Sequence, residues 1–183
     1  SDLGDTTDAT TDTTDDTAQT GETVTLTVGA TPAPHAEILE VVKDILAEQG
    51  ITLEIRPYND YVMPNTAVEE GEDDANFFQH ITYMENFNAE RGTHLVNAGA
   101  IHYEPMGIYA GKTASLEELP DGAVIGVPSD ATNEGRALLL LQDLGIITLS
   151  EDAGLEATKN DIVDNPHNID LQEMEAAMLP QTI

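Results

Sequence analysis

Val24-Thr25-Leu26-Thr27-Val28-Gly29 opens the stretch that decides the fold. It continues through the loop Ala30-Thr31-Pro32-Ala33-Pro34-His35, the segment Ala36 to Gln49, and Gly50-Ile51-Thr52-Leu53-Glu54-Ile55. Residues 24–28 alternate apolar and hydroxyl side chains, the period-2 pattern of a strand. From Ala36 the apolar residues Ile38, Val41, Val42 and Ile45 recur at helical spacing, and Gly50 ends the helix. Leu53 and Ile55 mark a second strand. Strand, helix and strand with short joints form a βαβ unit, so the sheet is parallel and the crossover right-handed. The loop after the first strand then lies at the carboxyl edge of the sheet, where open α/β folds bind ligands.

Working outward, Pro64 to Glu70 predicts a short helix ended by Gly71. Asp74 to Asn76 returns to the sheet edge, and Phe78 to Arg91 reads as a helix closed by Gly92. His94-Leu95-Val96 and Met106 to Ala110 read as strands. Ser115 to Leu119 reads as a short helix before the turn Pro120-Asp121-Gly122. A second strand–loop–helix unit follows: Val124 to Val127, the loop Pro128 to Thr132, and a helix from Asn133 to about Leu144, with Asp130 or Thr132 as its cap and Gly145 at its end. Two such units joined by extended segments predict two α/β lobes with a cleft between them.

The composition narrows the function. The 183 residues carry 35 Asp and Glu against 6 Lys and Arg, a formal net charge of -29. Nucleic acid and anionic membrane surfaces need basic patches, so they are poor partners. Acid is spread over helices, turns and loops, which reads as adaptation to high salt, where screening removes most of the self-repulsion. No EF-hand spacing supports a calcium role. The chain has no cysteine, which excludes disulfides, thiolate metal sites and cysteine nucleophiles. No apolar run is long enough to span a membrane. Ser1 to Glu22 is Thr- and Asp-rich with almost nothing apolar, and reads as a solvated tether.

Aromatic residues make up only 4% of the chain, yet Tyr61, Phe77, Phe78, His80 and Tyr83 crowd into one window beside Asn and Gln. Flat side chains among polar groups suit a pocket for a small, partly apolar ligand; at helical spacing they equally suit plain core. Arg136, in the first turn of the second unit's helix, offers a bidentate fork where the helix amides already favour an anion. A free carboxylate or a neighbouring acidic side chain would satisfy it equally. Asn133 lies one turn earlier on the same face. His35, His94, His102 and His167 fall in unrelated segments and Asp74 with His80 makes no ligand set, so no metal site is expected. No nucleophile elbow, phosphate loop or dinucleotide fingerprint is present, so neither a cofactor nor catalysis is expected.

Three segments carry a resemblance: Asn59-Asp60-Tyr61-Val62-Met63-Pro64-Asn65, Asp74-Ala75-Asn76-Phe77-Phe78-Gln79-His80, and Val127-Pro128-Ser129-Asp130-Ala131-Thr132-Asn133-Glu134-Gly135-Arg136. With weaker agreement through Asp161 to Pro166, the sequence from Val24 to Pro180 resembles the NlpA/MetQ family, the methionine-binding lipoproteins of ABC importers. The resemblance implies a two-lobed, type II periplasmic-binding-protein-like α/β fold that closes over its ligand by a hinge. It implies that Tyr61, Phe78, His80 and Tyr83 line the methionine side-chain pocket, and that Asn133 and Arg136 hold the amino-acid backbone, Arg136 taking the carboxylate. A thioether packs well on aromatic faces and edges.

The expected organisation is a tether at 1–22, a first lobe at 23–106 and a second lobe at 107–183. The family continues beyond Ile183, so the resemblance implies an incomplete second lobe. It also implies an extracytoplasmic, cell-surface protein, held by a lipid anchor on an amino-terminal cysteine that this chain lacks. The expected function is capture of methionine, or a close derivative, for the permease of an ABC importer. An enzyme on the same fold would need a base near Arg136, for which His80 is the candidate. A ligand sensor is the third reading.

Overall fold

The computed structural model describes residues 22–183; apart from Glu22, the tether read at 1–22 lies outside the described residues. Strand β1 (Val24–Ala30) is the centre of the first sheet, between β2 (Ile51–Pro57) and β3 (Ala75–Phe77) in the order β2-β1-β3. Both pairings are parallel, with Val28 opposite Ile55 on one side and Ala75 on the other. A central strand is covered on both faces. Thr27 to Ala30 are accordingly all buried, while Val24 and Thr25, at the open end, are exposed.

Helix α1 (Glu37–Glu48) makes the crossover between β1 and β2. The stripe that packs on the sheet is Leu39, Val42 and Leu46, against Val28, Leu53, Leu26 and Ile55. This corrects the expected face: Val41 and Ile45 are 68% and 53% exposed. Two apolar stripes at helical spacing overlap on this helix, and the short joints at its ends set the rotation that buries one of them.

Helix α2 (Met63–Glu69) leads into β3, and α3 (Ile81–Arg91) follows it. Helix α3 starts three residues later than expected, because Phe78 to His80 stay extended and His80 caps the helix: its Nδ1 accepts from the Tyr83 backbone N–H at 3.0 Å. The strands expected at 94–96 and 106–110 are absent. At the first, side chains occupy the backbone groups a ladder would use. Glu69 accepts from His94 N, Asn88 Oδ1 accepts from Leu95 N, and Asn88 Nδ2 donates to Leu95 O. At the second, no neighbouring strand among the described residues offers a partner.

The second lobe repeats the plan with β4 (Val124–Pro128), α4 (Ala131–Asp143) and β7 (Asp170–Met174), where β4 and β7 pair in parallel. Between them β5 (Thr148–Leu149) and β6 (Ile162–Asp164) pair antiparallel. Its core is Val127, Leu138, Leu141, Ile147, Leu149 and Leu171, and Met106 packs against it. Asp130 caps α4 by accepting from Asn133 N, one of the two expected caps. Gly135 lets α4 lie directly on the loop after β5: a Cβ there would stand 1.9 Å from the Leu155 carbonyl oxygen. No helix among the described residues is long and apolar enough to cross a membrane.

Candidate functional site

An open cleft of about 1180 Å³ lies at the carboxyl edge of the first sheet and against the start of α4. Tyr61, Phe78, His80, Tyr83, Asn133 and Arg136 all line it, so residues read from distant parts of the sequence meet in one place.

One wall is aromatic. The Tyr61 ring is 5.8 Å from Phe78 and 6.2 Å from Tyr83, and Phe78 stands edge-on to Tyr83 at 6.0 Å. Such tilted and edge-on pairs suit the ring quadrupoles. Tyr83 donates its hydroxyl to the Tyr61 carbonyl at 2.9 Å, which ties α3 to the segment before α2. Burial pushes the Tyr83 phenol up to about 12, with Asp130 adding to the effect, and burial also raises Tyr61. Both therefore act as neutral donors.

The other wall is polar and starts from the α4 cap. Asp130 Oδ2 accepts from Asn133 Nδ2 at 2.9 Å, which turns the Asn133 carbonyl oxygen toward the cleft. That oxygen accepts from Arg136 Nη1 at 3.1 Å and meets His80 Nε2 at 3.0 Å. Because His80 Nδ1 already accepts the Tyr83 N–H, the proton sits on Nε2 and His80 is the donor to Asn133. Arg136 also donates from Nη2 to the Glu104 carbonyl at 3.0 Å. Among the described residues no carboxylate forms an ion pair with Arg136, so its charge and remaining donors are available to the cleft.

The groups that hold these walls in place carry little signal in the sequence. Asn65, fully buried, donates to Gln79 Oε1 at 2.8 Å and accepts from Gln79 Nε2 and Asn76 Nδ2 at 2.7 and 2.9 Å. This amide cluster locks the segments that carry Tyr61 and Phe78-His80 to one another. Its only signal was three amides inside the quoted motifs. Two of the histidines from unrelated segments also come together here. His35 and His102 have ring centroids 5.5 Å apart, both stand edge-on to Phe77, and both face the Glu104 carboxylate. Loop closure brings them together, and no local spacing encodes that. Burial lowers the His35 pKa, partly opposed by Glu104. Along 77–78 successive side chains turn to opposite sides, Phe77 to this cluster and Phe78 to the aromatic wall.

Two α/β lobes, each with a parallel sheet, and an open cleft walled by aromatics and by an arginine without an ion pair among the described residues define a two-lobed, periplasmic-binding-protein-like fold. The NlpA lipoprotein family profile matches residues 26–183, and the chain belongs to that family. A methionine-binding lipoprotein of Bacillus subtilis is 44% identical over 151 residues, which span 81% of this chain and 55% of the relative. A lipoprotein structure from Ruminococcus gnavus is 57% identical with a TM-score of 0.83, covering 86% of this chain and 65% of that one. A nutrient-binding protein from Burkholderia cenocepacia, solved with methionine bound, is 41% identical with a TM-score of 0.82 over 85% of this chain and 66% of that one. The chain spans about three fifths of the length of the curated relatives it matches.

Proposed function

We propose that the protein is an extracytoplasmic solute-binding lipoprotein that captures methionine or a close derivative and delivers it to the permease of an ABC importer. The observation that carries this reading is the juxtaposition of Arg136, without an ion pair among the described residues, with a wall of Tyr61, Phe78 and Tyr83 across one cleft. The guanidinium takes the ligand carboxylate, held in place by Asn133 and the Glu104 carbonyl. The aromatic wall takes the thioether, and His80 orients Asn133 at the junction. Family membership and the methionine-bound relative support the same ligand. The role is binding rather than catalysis: His80, the candidate base, has both ring nitrogens engaged, with Tyr83 N and Asn133.

On this reading residues 23–106 and 107–183 act as the two halves of the clamp, and a lipid anchor holds the mature protein at the cell surface. Calorimetric titration of L-methionine in molar potassium chloride tests the ligand. Saturable one-to-one binding that alanine does not match supports the assignment. No saturation by L-methionine, D-methionine or a methionine dipeptide, with the fold intact by circular dichroism, would remove it.

A further inference from the structure

We propose that His35, His102 and Glu104 form a binding site for a divalent transition-metal ion of the zinc class, at the rim of the cleft. Two imidazoles and one carboxylate are the ligand types zinc takes, usually with four-coordinate geometry. One ligand atom from each of the three lies within 4.8 Å of the others. Glu104 Oε1 is 3.0 Å from His35 Nε2 and 2.5 Å from His102 Nε2. In a tetrahedral site with metal–ligand bonds of about 2.0–2.2 Å, ligand atoms stand about 3.3 Å apart. Side-chain shifts of no more than about 1.5 Å at His102 and Glu104 convert the present contacts into that spacing, and both side chains are partly exposed.

The surroundings are those of a metal site rather than of a chance surface pair. His35 is buried, and its Nδ1 lies 2.6 Å from the Thr31 hydroxyl. With metal on Nε2, Nδ1 carries the proton and donates to Thr31, the outer-shell bond that fixes a ligating imidazole. Phe77 stands edge-on to both rings, at 4.9 Å from His35 and 5.5 Å from His102, and supplies an apolar floor. All three ligands line the cleft, so the fourth coordination position opens into it. By contrast the histidine–carboxylate pair His94 with Glu69 has a histidine side chain 85% exposed and no third ligand among the described residues.

The test is equilibrium dialysis of the whole chain against Zn2+ in molar potassium chloride with excess Mg2+, which occupies the acidic surface, together with the visible absorption of the Co2+ form. One equivalent of Zn2+ is expected, with d–d bands of a nitrogen- and oxygen-ligated Co2+. His102→Gln and Glu104→Gln should each weaken binding at least tenfold, and Thr31→Ala by about tenfold, while His94→Gln leaves it unchanged. His102 and Glu104 are exposed enough for those variants to fold, which circular dichroism checks. Absence of a saturable equivalent, displacement by Mg2+, or full retention of Zn2+ in both His102→Gln and Glu104→Gln would overturn the site. None of these readouts depends on methionine, so the metal site stands or falls apart from the proposed transport role.

Discussion

His80 Nε2 donates to Asn133 Oδ1 across 3.0 Å and 53 residues of sequence. The same oxygen accepts from Arg136, so one amide holds the end of the aromatic wall and the guanidinium together. Asn133→Ala removes the acceptor for both and leaves the cap partner Asp130 with one fewer donor. The expected result is a loss of methionine affinity of about 10- to 100-fold, or roughly 1.4–2.7 kcal/mol, measured by titration calorimetry. A change below twofold would mean that the amide positions nothing the ligand uses.

Arg136→Ala should cost methionine binding about 2–4 kcal/mol if it holds the carboxylate. L-Methioninamide, which has no carboxylate, should lose far less from the same substitution. Arg136→Lys should not restore the wild-type affinity, because a point charge lacks the planar fork. Equal losses for acid and amide would place Arg136 outside carboxylate recognition.

Phe78→Ala removes a ring that packs between Tyr61 and Tyr83. If those rings receive the thioether, methionine should weaken by about 1–2 kcal/mol beyond any change for alanine or glycine. Competition titrations against all three ligands read this directly. Parallel losses would assign the ring to core packing.

Glu134 gives a pH dependence of stability. It is 6% exposed, and burial, followed by the facing Glu173, raises it to about 7 from the ordinary 4.5. Its Oε1 has no hydrogen-bond partner among the described residues. The folded state therefore binds a proton more tightly than the unfolded chain between about pH 4.5 and 7. Stability from this group is full below that window, falls as the pH rises through it, and is level above. Glu134→Gln should flatten that slope and, at pH 8, stabilise the fold by about 1–3 kcal/mol. Urea unfolding of both proteins at pH 5 and pH 8 in molar salt provides the comparison. A variant less stable than the parent at pH 8 would contradict it.

Gly135→Ala sets two effects against each other. Alanine favours a helix over glycine by about 1 kcal/mol, but here its Cβ would press on the Leu155 carbonyl at 1.9 Å and the Glu156 Cα at 3.1 Å. Backbone cannot swing aside as a side chain can, so the clash wins. A net destabilisation of about 1–3 kcal/mol is expected, seen as a lower thermal midpoint. An unchanged or raised midpoint would show that the loop after β5 yields freely.

Which parts of this structure are legible in the sequence follows from the range of the interactions that encode them. The βαβ unit and the strand–loop–helix around Val127 rest on local periodicity and glycine stops, and both form. Asp130 as a cap rests on a three-residue relation and also forms. What periodicity does not settle is which of two apolar stripes a helix buries: Val41 and Ile45 share helical spacing with Val42, but Leu39 and Leu46 are the ones that pack beside it. The strand expected at 94–96 reflects apolar content alone. Its backbone is claimed by the side chains of Asn88 and Glu69, a competition invisible to pattern. Tyr61, Phe78, His80, Tyr83, Asn133 and Arg136 could be named because a resemblance supplied the pairing. Asn65, which anchors the amide cluster, and the convergence of His35 with His102 depend on long loops closing, and no window of residues records that.

The alternation of Phe77 and Phe78 to opposite sides bears on what this sequence can tolerate in divergence. Exchanging either ring for another apolar residue alters one site and leaves its neighbour intact. Inserting or deleting one residue between Phe77 and the His80 cap instead leaves Phe77 opposite Ala30 but displaces the aromatic wall and unseats the start of α3. Lineages of this protein should accordingly vary at these positions by replacement and keep the length from Ala75 to Tyr83 fixed.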